Sequence, residues 1–250
     1  MSIATFRIKY PRPKKLSDPY HDFTPDMLEE ILAIPDDKLK GYHFLQILGP
    51  TLPAGTYEES VYFLPGAFRY LITDDEYAPT LINPIVEFIS KNAERLAKDK
   101  ILDAARECIH EAFDYWTNQF VVVHRRAPSI NKVKRLGYSD YAKNFGAVWI
   151  MIVELLKYGT DDDIAEDFVQ SLSDNTSNPI KAAWYLTCAS YSRDLYRQHR
   201  TRRELNSNRI LQLIQDKERL KKAAELVREK LVPGEKSPTF WRDVFNNLGV

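Results

Sequence analysis

Between Thr56 and Leu71 the chain reads TYEESVYFLPGAFRYL, and few stretches of this length constrain a fold more tightly. Thr56 followed three residues later by Glu59 is a capping box, in which each side chain can bond the other's backbone N–H and start a helix. Val61, Tyr62, Leu64, Phe68 and Leu71 then recur at helical spacing and make an apolar face. Pro65 lies inside that pattern. It has no N–H to donate and its ring crowds the preceding turn, so the stretch predicts either a kinked helix or two short helices meeting at Pro65. Gly66, with no Cβ, lets another element approach closely. The segment is shaped for packing and carries no reactive group.

Similar punctuation runs along the chain. Thr24, Pro25 and Asp26 supply a cap, a first-turn proline and a first-turn acid for a helix ending near Pro35. Further helices are predicted over Asp36–Leu48, Pro84–Leu96 and Asp99–Val123, the last with a β-branched end that can unwind into extended chain. Ser139 is predicted to cap an apolar helix ending at Gly159. Asp161 to Asp163 open another, Asn178-Pro179 starts a long one predicted to run past Arg203, and Asn206 to Asn208 marks a break. A charged helix follows over Arg209–Leu231, and Ser237-Pro238 begins a final one ending at Gly249.

The expected class is therefore all-α: roughly ten helices in an irregular or solenoid-like bundle. Residues 1–23 form an extended N-terminal segment, in which Thr5–Tyr10 is a candidate short strand. Residues 24–127 and 139–250 read as two helical regions, or one continuous domain, around a basic, Pro- and Asn-containing linker at 128–138. No fixed-period repeat is visible.

At 250 residues the chain suits one large domain or two small ones, with enough apolar residues for a core. No run reaches the roughly 18 apolar residues of a spanning helix. The opening MSIATFRIKYPRPKK places its basic residues after the apolar ones, unlike a secretory signal. A cytoplasmic protein without membrane partners is the expectation. Net charge is +0 overall but −5 over residues 1–125 and +5 over 126–250, too small a bias for general nucleic-acid binding.

Catalytic constellations are missing. Cys108 and Cys188 read as buried reduced thiols, because no CxxC or Cys/His cluster exists. Glu107 and His110 share a helix face as in di-iron bundles, but none of the other four histidines has Glu at the same offset. His21, His43, His110, His124 and His199 are scattered. The acidic runs at Asp74–Glu76 and Asp161–Asp163 sit at helix boundaries, where acids cap or solvate. With 9 glycines the chain has no phosphate-cradling loop and no nucleophile elbow. No enzyme activity, cofactor or metal is expected.

One helix face is basic: Arg193, Arg197 and Arg200 fall at i, i+4 and i+7, with Arg203 one turn on. They are a candidate anion-binding face for a nucleic acid, the alternative reading of function. Locally paired surface charge, such as Arg200 with Glu204, explains the same pattern.

Residues 55–120 carry a further signal. TYEESVYFLPGAFRYL, then INPIVEFI, then a helix ending FDYWTNQF, resembles small bacterial immunity-type proteins from polymorphic-toxin loci. The matching positions are Glu59, Tyr62, Phe63, Leu64, Pro65, Ala67, Phe68, Arg69 and Tyr70; residues 139–250 lie outside the resemblance. It implies a non-catalytic protein that binds and blocks a cognate toxin. Aromatic residues and arginine dominate binding hot spots, which makes Tyr57, Tyr62, Arg69, Tyr70 and Tyr77 the candidate contacts.

Overall fold

The computed structural model describes residues 2–49, 55–73, 77–126, 138–158, 162–175, 177–198, 208–234 and 238–250. Among them stand twelve α-helices and one two-stranded antiparallel ribbon, the all-α class that the helix signals predict. Contacts divide the chain into two compact units. Unit 1 takes Met1–Trp116 with Glu154–Ile164, and unit 2 takes Thr117–Val153 with Ala165–Val250. Apart from Tyr138, the predicted linker at 128–138 lies outside the described residues.

Unit 1 contains α1 (Pro25–Ala33), α2 (Gly41–Leu48), α3 (Tyr57–Leu71), α4 (Ile82–Lys91), α5 (Ala93–Lys98) and nearly all of α6 (Leu102–Thr117). Its N-terminal segment forms no strand. The segment is fastened by side chains instead. The Ile3 N–H donates to Glu111 Oε2 at 2.6 Å, and the Tyr10 hydroxyl donates to Asp99 Oδ2 at 2.7 Å. Ser17 donates its N–H and its hydroxyl to Glu59 at 2.9 and 2.8 Å. Phe6 meets Phe68 edge-on with ring centroids 5.7 Å apart.

The start of α3 is half the predicted box. Thr56 Oγ1 accepts from the Glu59 N–H at 3.3 Å, while the Glu59 carboxylate turns to Ser17. Helix α3 then runs without interruption through Pro65, so the two-helix alternative is corrected. An interior proline costs about 3 kcal/mol. Val61, Phe63, Leu64 and Phe68 are all buried, and each contributes about 1.5–3 kcal/mol by leaving water. Packing wins.

Two other predicted helices are broken. Asp36–Lys38 is a single 3-10 turn, the chain extends through Leu39 and Lys40, and α2 begins at Gly41 with His43 Nδ1 accepting the Lys40 N–H at 2.9 Å. Asn92 separates α4 from α5, its side-chain amide donating to the Phe88 carbonyl at 2.8 Å. Both breaks exploit local polar side-chain bonds that compete with the helix ladder.

Unit 2 contains β1 (Val122–Arg126) paired with β2 (Tyr138–Ala142), Val122 opposite Ala142. Ser139, the predicted cap, is therefore in a strand. The helix α7 (Phe145–Tyr158) starts later, after Asn144 in the left-handed region. Residues of α7 and of α8 (Asp162–Asp174) divide between the units. Helix α9 (Pro179–Gln198) packs against α10 (Asn208–Gln215), α11 (Lys217–Lys230) and α12 (Pro238–Leu248). The helix predicted over 209–231 is two, because Asp216 Oδ1 accepts from the N–H groups of Glu218 and Arg219 at 3.1 Å and caps α11 anew.

Aromatic rings pack together in unit 2 around two buried tryptophans. Phe120 lies 5.1 Å from Trp184 and 5.3 Å from Trp241, and Trp241 stacks on Phe245 at 5.7 Å. Trp184 and Trp241 are buried, and the Trp184 indole N–H donates to the Gln119 carbonyl at 3.0 Å.

Candidate partner-binding face

Helix α3 is buried on almost every side. Its residues with exposure fall in one stripe, Glu58, Tyr62, Gly66, Arg69 and Tyr70, at the spacing of a single helical face. The structure thus gathers three of the sequence-predicted residues, Tyr62, Arg69 and Tyr70, on one narrow surface of unit 1.

Tyr77 joins them from the position just before the turn Ala78–Leu81 that precedes α4, and glycine explains how. A Cβ on Gly41 would stand 2.5 Å from Tyr70 Cε1 and 2.7 Å from Tyr77 Cβ. Only glycine lets the start of α2 press against both tyrosines at once. The next residue, Tyr42, is 42% exposed, and its ring meets that of Tyr77, 38% exposed, at 6.2 Å edge-on. Farther along the stripe, Gly66 accepts the Phe44 ring, whose Cζ would be 2.8 Å from an added Cβ. Phe44 in turn lies 6.0 Å from Tyr70. The result is an aromatic cluster in which Tyr42 and Tyr77 are exposed, Tyr70 is half-buried and Phe44 is buried, with Arg69 exposed beside it.

Sequence reading missed Tyr42. It lay inside the helix predicted over Asp36–Leu48 with nothing local to single it out, because its value depends on Tyr77, which is distant in sequence. Tyr57, by contrast, points away from the cluster. It is buried, stacks on Phe88 at 6.0 Å, and donates its hydroxyl to Asp99 Oδ2 at 2.8 Å, the same oxygen that Tyr10 uses. The Arg95 guanidinium covers its ring at 3.9 Å and pairs with Glu58. Burial, then the Asp99 hydrogen bond, raises the Tyr57 phenol well above its ordinary value.

Charge at the stripe is arranged around Asp36. Arg12 pairs with it at 2.9 Å, and the Tyr62 hydroxyl donates to its other oxygen. Desolvation, with that hydrogen bond, pushes the Tyr62 phenol up to about 12. Arg69 pairs with no carboxylate among the described residues. Desolvation and the nearby Arg7 lower its pKa, against the pull of Asp36. A guanidinium stays charged through such a shift.

The remaining sequence candidates fall elsewhere. Arg193 and Arg197 lie in the last turns of α9, and Arg200 and Arg203 lie outside the described residues, as do Asp74–Glu76. Both cysteines are buried, which raises each thiol to about 12. Among the described residues, no three His, Cys, Asp or Glu side chains converge as a metal site, and no helix is long and apolar enough to cross a membrane. Comparison with protein-family models, curated proteins and solved structures gave no match.

Proposed function

We propose that the protein is a non-catalytic binding protein of the immunity type, which blocks a protein partner such as a cognate toxin. The contact surface in this reading is the face built by Tyr42, Tyr62, Arg69, Tyr70 and Tyr77. The observation that supports it is the exposed tyrosine cluster held together at Gly41, with an arginine at its edge. Rigid aromatic rings and arginine offer large contact area at low entropic cost, and they carry most of the energy where they occur at interfaces. A chain that needed these tyrosines only for its own core would bury them, as it buries Tyr57 and Tyr185.

The test is gentle purification from the native host, followed by substitution. A stoichiometric partner protein is expected to accompany the wild-type chain and to be lost from a Tyr42→Ala/Tyr77→Ala variant that keeps its helical spectrum. A partner that remains bound to that variant would remove this face from the account. Steeply salt-dependent binding of DNA or RNA, unaffected by the two substitutions, would favour the alternative based on the arginines from 193 onward.

A further inference from the structure

Beside the tyrosine cluster, the α3 stripe borders a pocket of about 150 Å³. Arg7 and Arg69 both line it, together with Leu39, Phe44, Phe63 and Tyr62. We propose that this pocket is an anion subsite that receives one carboxylate side chain, Asp or Glu, from the protein partner. The proposal rests on the partner-binding reading and specifies its chemistry.

Three observations carry it. The first is charge. Asp36 also lines the pocket, but its carboxylate is engaged by Arg12 and by the Tyr62 hydroxyl. Asp37 stands 3.7 Å from its neighbour Lys38. Arg7 and Arg69 are left as two guanidiniums facing one cavity with no described carboxylate paired to either. Arg7 gives one nitrogen to the carbonyls of Ala4 and Phe6, at 3.0 and 2.7 Å, which fixes the side chain and leaves other donors of its fork open. Like charges held together lose energy that an incoming anion restores, and planar guanidiniums suit a carboxylate.

Size is the second. Small-molecule pockets run from about 300 to 1,000 Å³. The cavity at Arg7 is half the lower bound and suits a side chain, and a second cavity of about 340 Å³ that shares Arg69, Phe44 and Gly66 leaves room for the rest of the partner's segment. The third is the wall. Leu39, Phe44 and Phe63 are buried apolar residues that match the methylenes of Glu or Asp. Such a wall disfavours a dianion such as phosphate more than a single carboxylate, because the cost of leaving water rises with the square of the charge while attraction to the guanidiniums rises only in proportion.

The test uses the full chain with isotope-labelled arginine side chains and NMR detection of their Nε–Hε groups at fixed ionic strength. The probes are N-acetyl-glutamate N-methylamide, the matching glutamine compound, and inorganic phosphate. The glutamate probe is expected to shift Arg7 and Arg69 together and saturably, the glutamine probe to shift neither, and phosphate to bind at least tenfold more weakly. Arg69→Gln should weaken the Arg7 response at least tenfold, and Arg7→Gln the Arg69 response, with Arg242 unmoved throughout as the exposed control. Equal shifts from both amino-acid probes, tighter binding of phosphate, no saturable shift, or indifference to both substitutions would each overturn the subsite. A failed subsite with a partner still lost from Tyr42→Ala/Tyr77→Ala leaves the binding face standing. A working subsite with that partner retained removes the tyrosine face and keeps the pocket.

Discussion

The two units hold themselves together by different means. Unit 1 fastens its N-terminal segment with carboxylates: Glu111 takes Ile3, Asp99 takes Tyr10, Glu59 takes Ser17 and Asp36 takes Arg12. Unit 2 relies on ring packing around Phe120, Trp184 and Trp241. Carboxylate fastening depends on pH, whereas ring packing does not. Both units leave tyrosines on the surface, Tyr42 and Tyr77 in unit 1 and Tyr141 and Tyr191 in unit 2.

The largest effect should come from unit 2. Trp184→Ala removes a fully buried ring and is expected to cost about 3–5 kcal/mol. Each unit holds one buried cysteine, Cys108 in unit 1 and Cys188 in unit 2, with thiols too weakly acidic to react while folded. Thiol labelling during denaturation therefore reads the units separately. In this variant Cys188 should become reactive at lower denaturant than Cys108. Simultaneous exposure of both would show that the contrast does not extend to unfolding.

A smaller loss is expected in unit 1. Glu59→Gln weakens two hydrogen bonds to a buried carboxylate, at a cost of about 1.5–3 kcal/mol. Its specific sign is early tryptic cleavage after Lys14 or Lys15, near the loosened Ser17. Unchanged cleavage would contradict the fastening role.

The acid response comes next. Hydrogen bonds from Tyr10 and Tyr57 hold the Asp99 carboxyl below its ordinary value. A depressed carboxyl contributes stability that is fully present above the unfolded pKa, near 3.9, and is lost as pH falls through the folded value. Tyr10 fluorescence or tryptic cleavage should report release of the N-terminal segment below about pH 4, and Asp99→Asn should flatten that response. At the other extreme, the Tyr62 phenol is raised to about 12. Its contribution is complete below the unfolded value near 10 and disappears as pH rises toward 12, a loss that Tyr62→Phe should remove.

Much of the fold was legible because caps are local. Thr24 accepts from Met27, Thr56 from Glu59 and Asn178 from Ile180, all within three residues. The breaks at Asn92 and Asp216 were missed, since Asn and Asp fit a helix surface as well as a cap until the side chain commits. Pro65 left a kinked helix and two short helices both open, and the continuous α3 removes only the second, because the proline's penalty is local and the burial that offsets it is not. The candidate site was half legible for the same reason. Tyr62, Arg69 and Tyr70 share a helix face by spacing alone. Tyr57 shares their composition, yet Asp99 draws it inward, and Tyr42 matters only through Gly41, Tyr70 and Tyr77.

Exposed residues of the face should matter little to folding and greatly to binding. Arg69→Ala and Tyr77→Ala are each expected within about 0.5 kcal/mol of wild-type stability. The decisive measurement is the dissociation constant of the complex with the protein that accompanies the chain from its native host, compared for wild type and an Arg69→Ala/Tyr77→Ala variant of equal Tm. Hot-spot truncation predicts weakening by about 30-fold or more, corresponding to about 2 kcal/mol. An unchanged constant at unchanged Tm would contradict the claim that this face binds the partner.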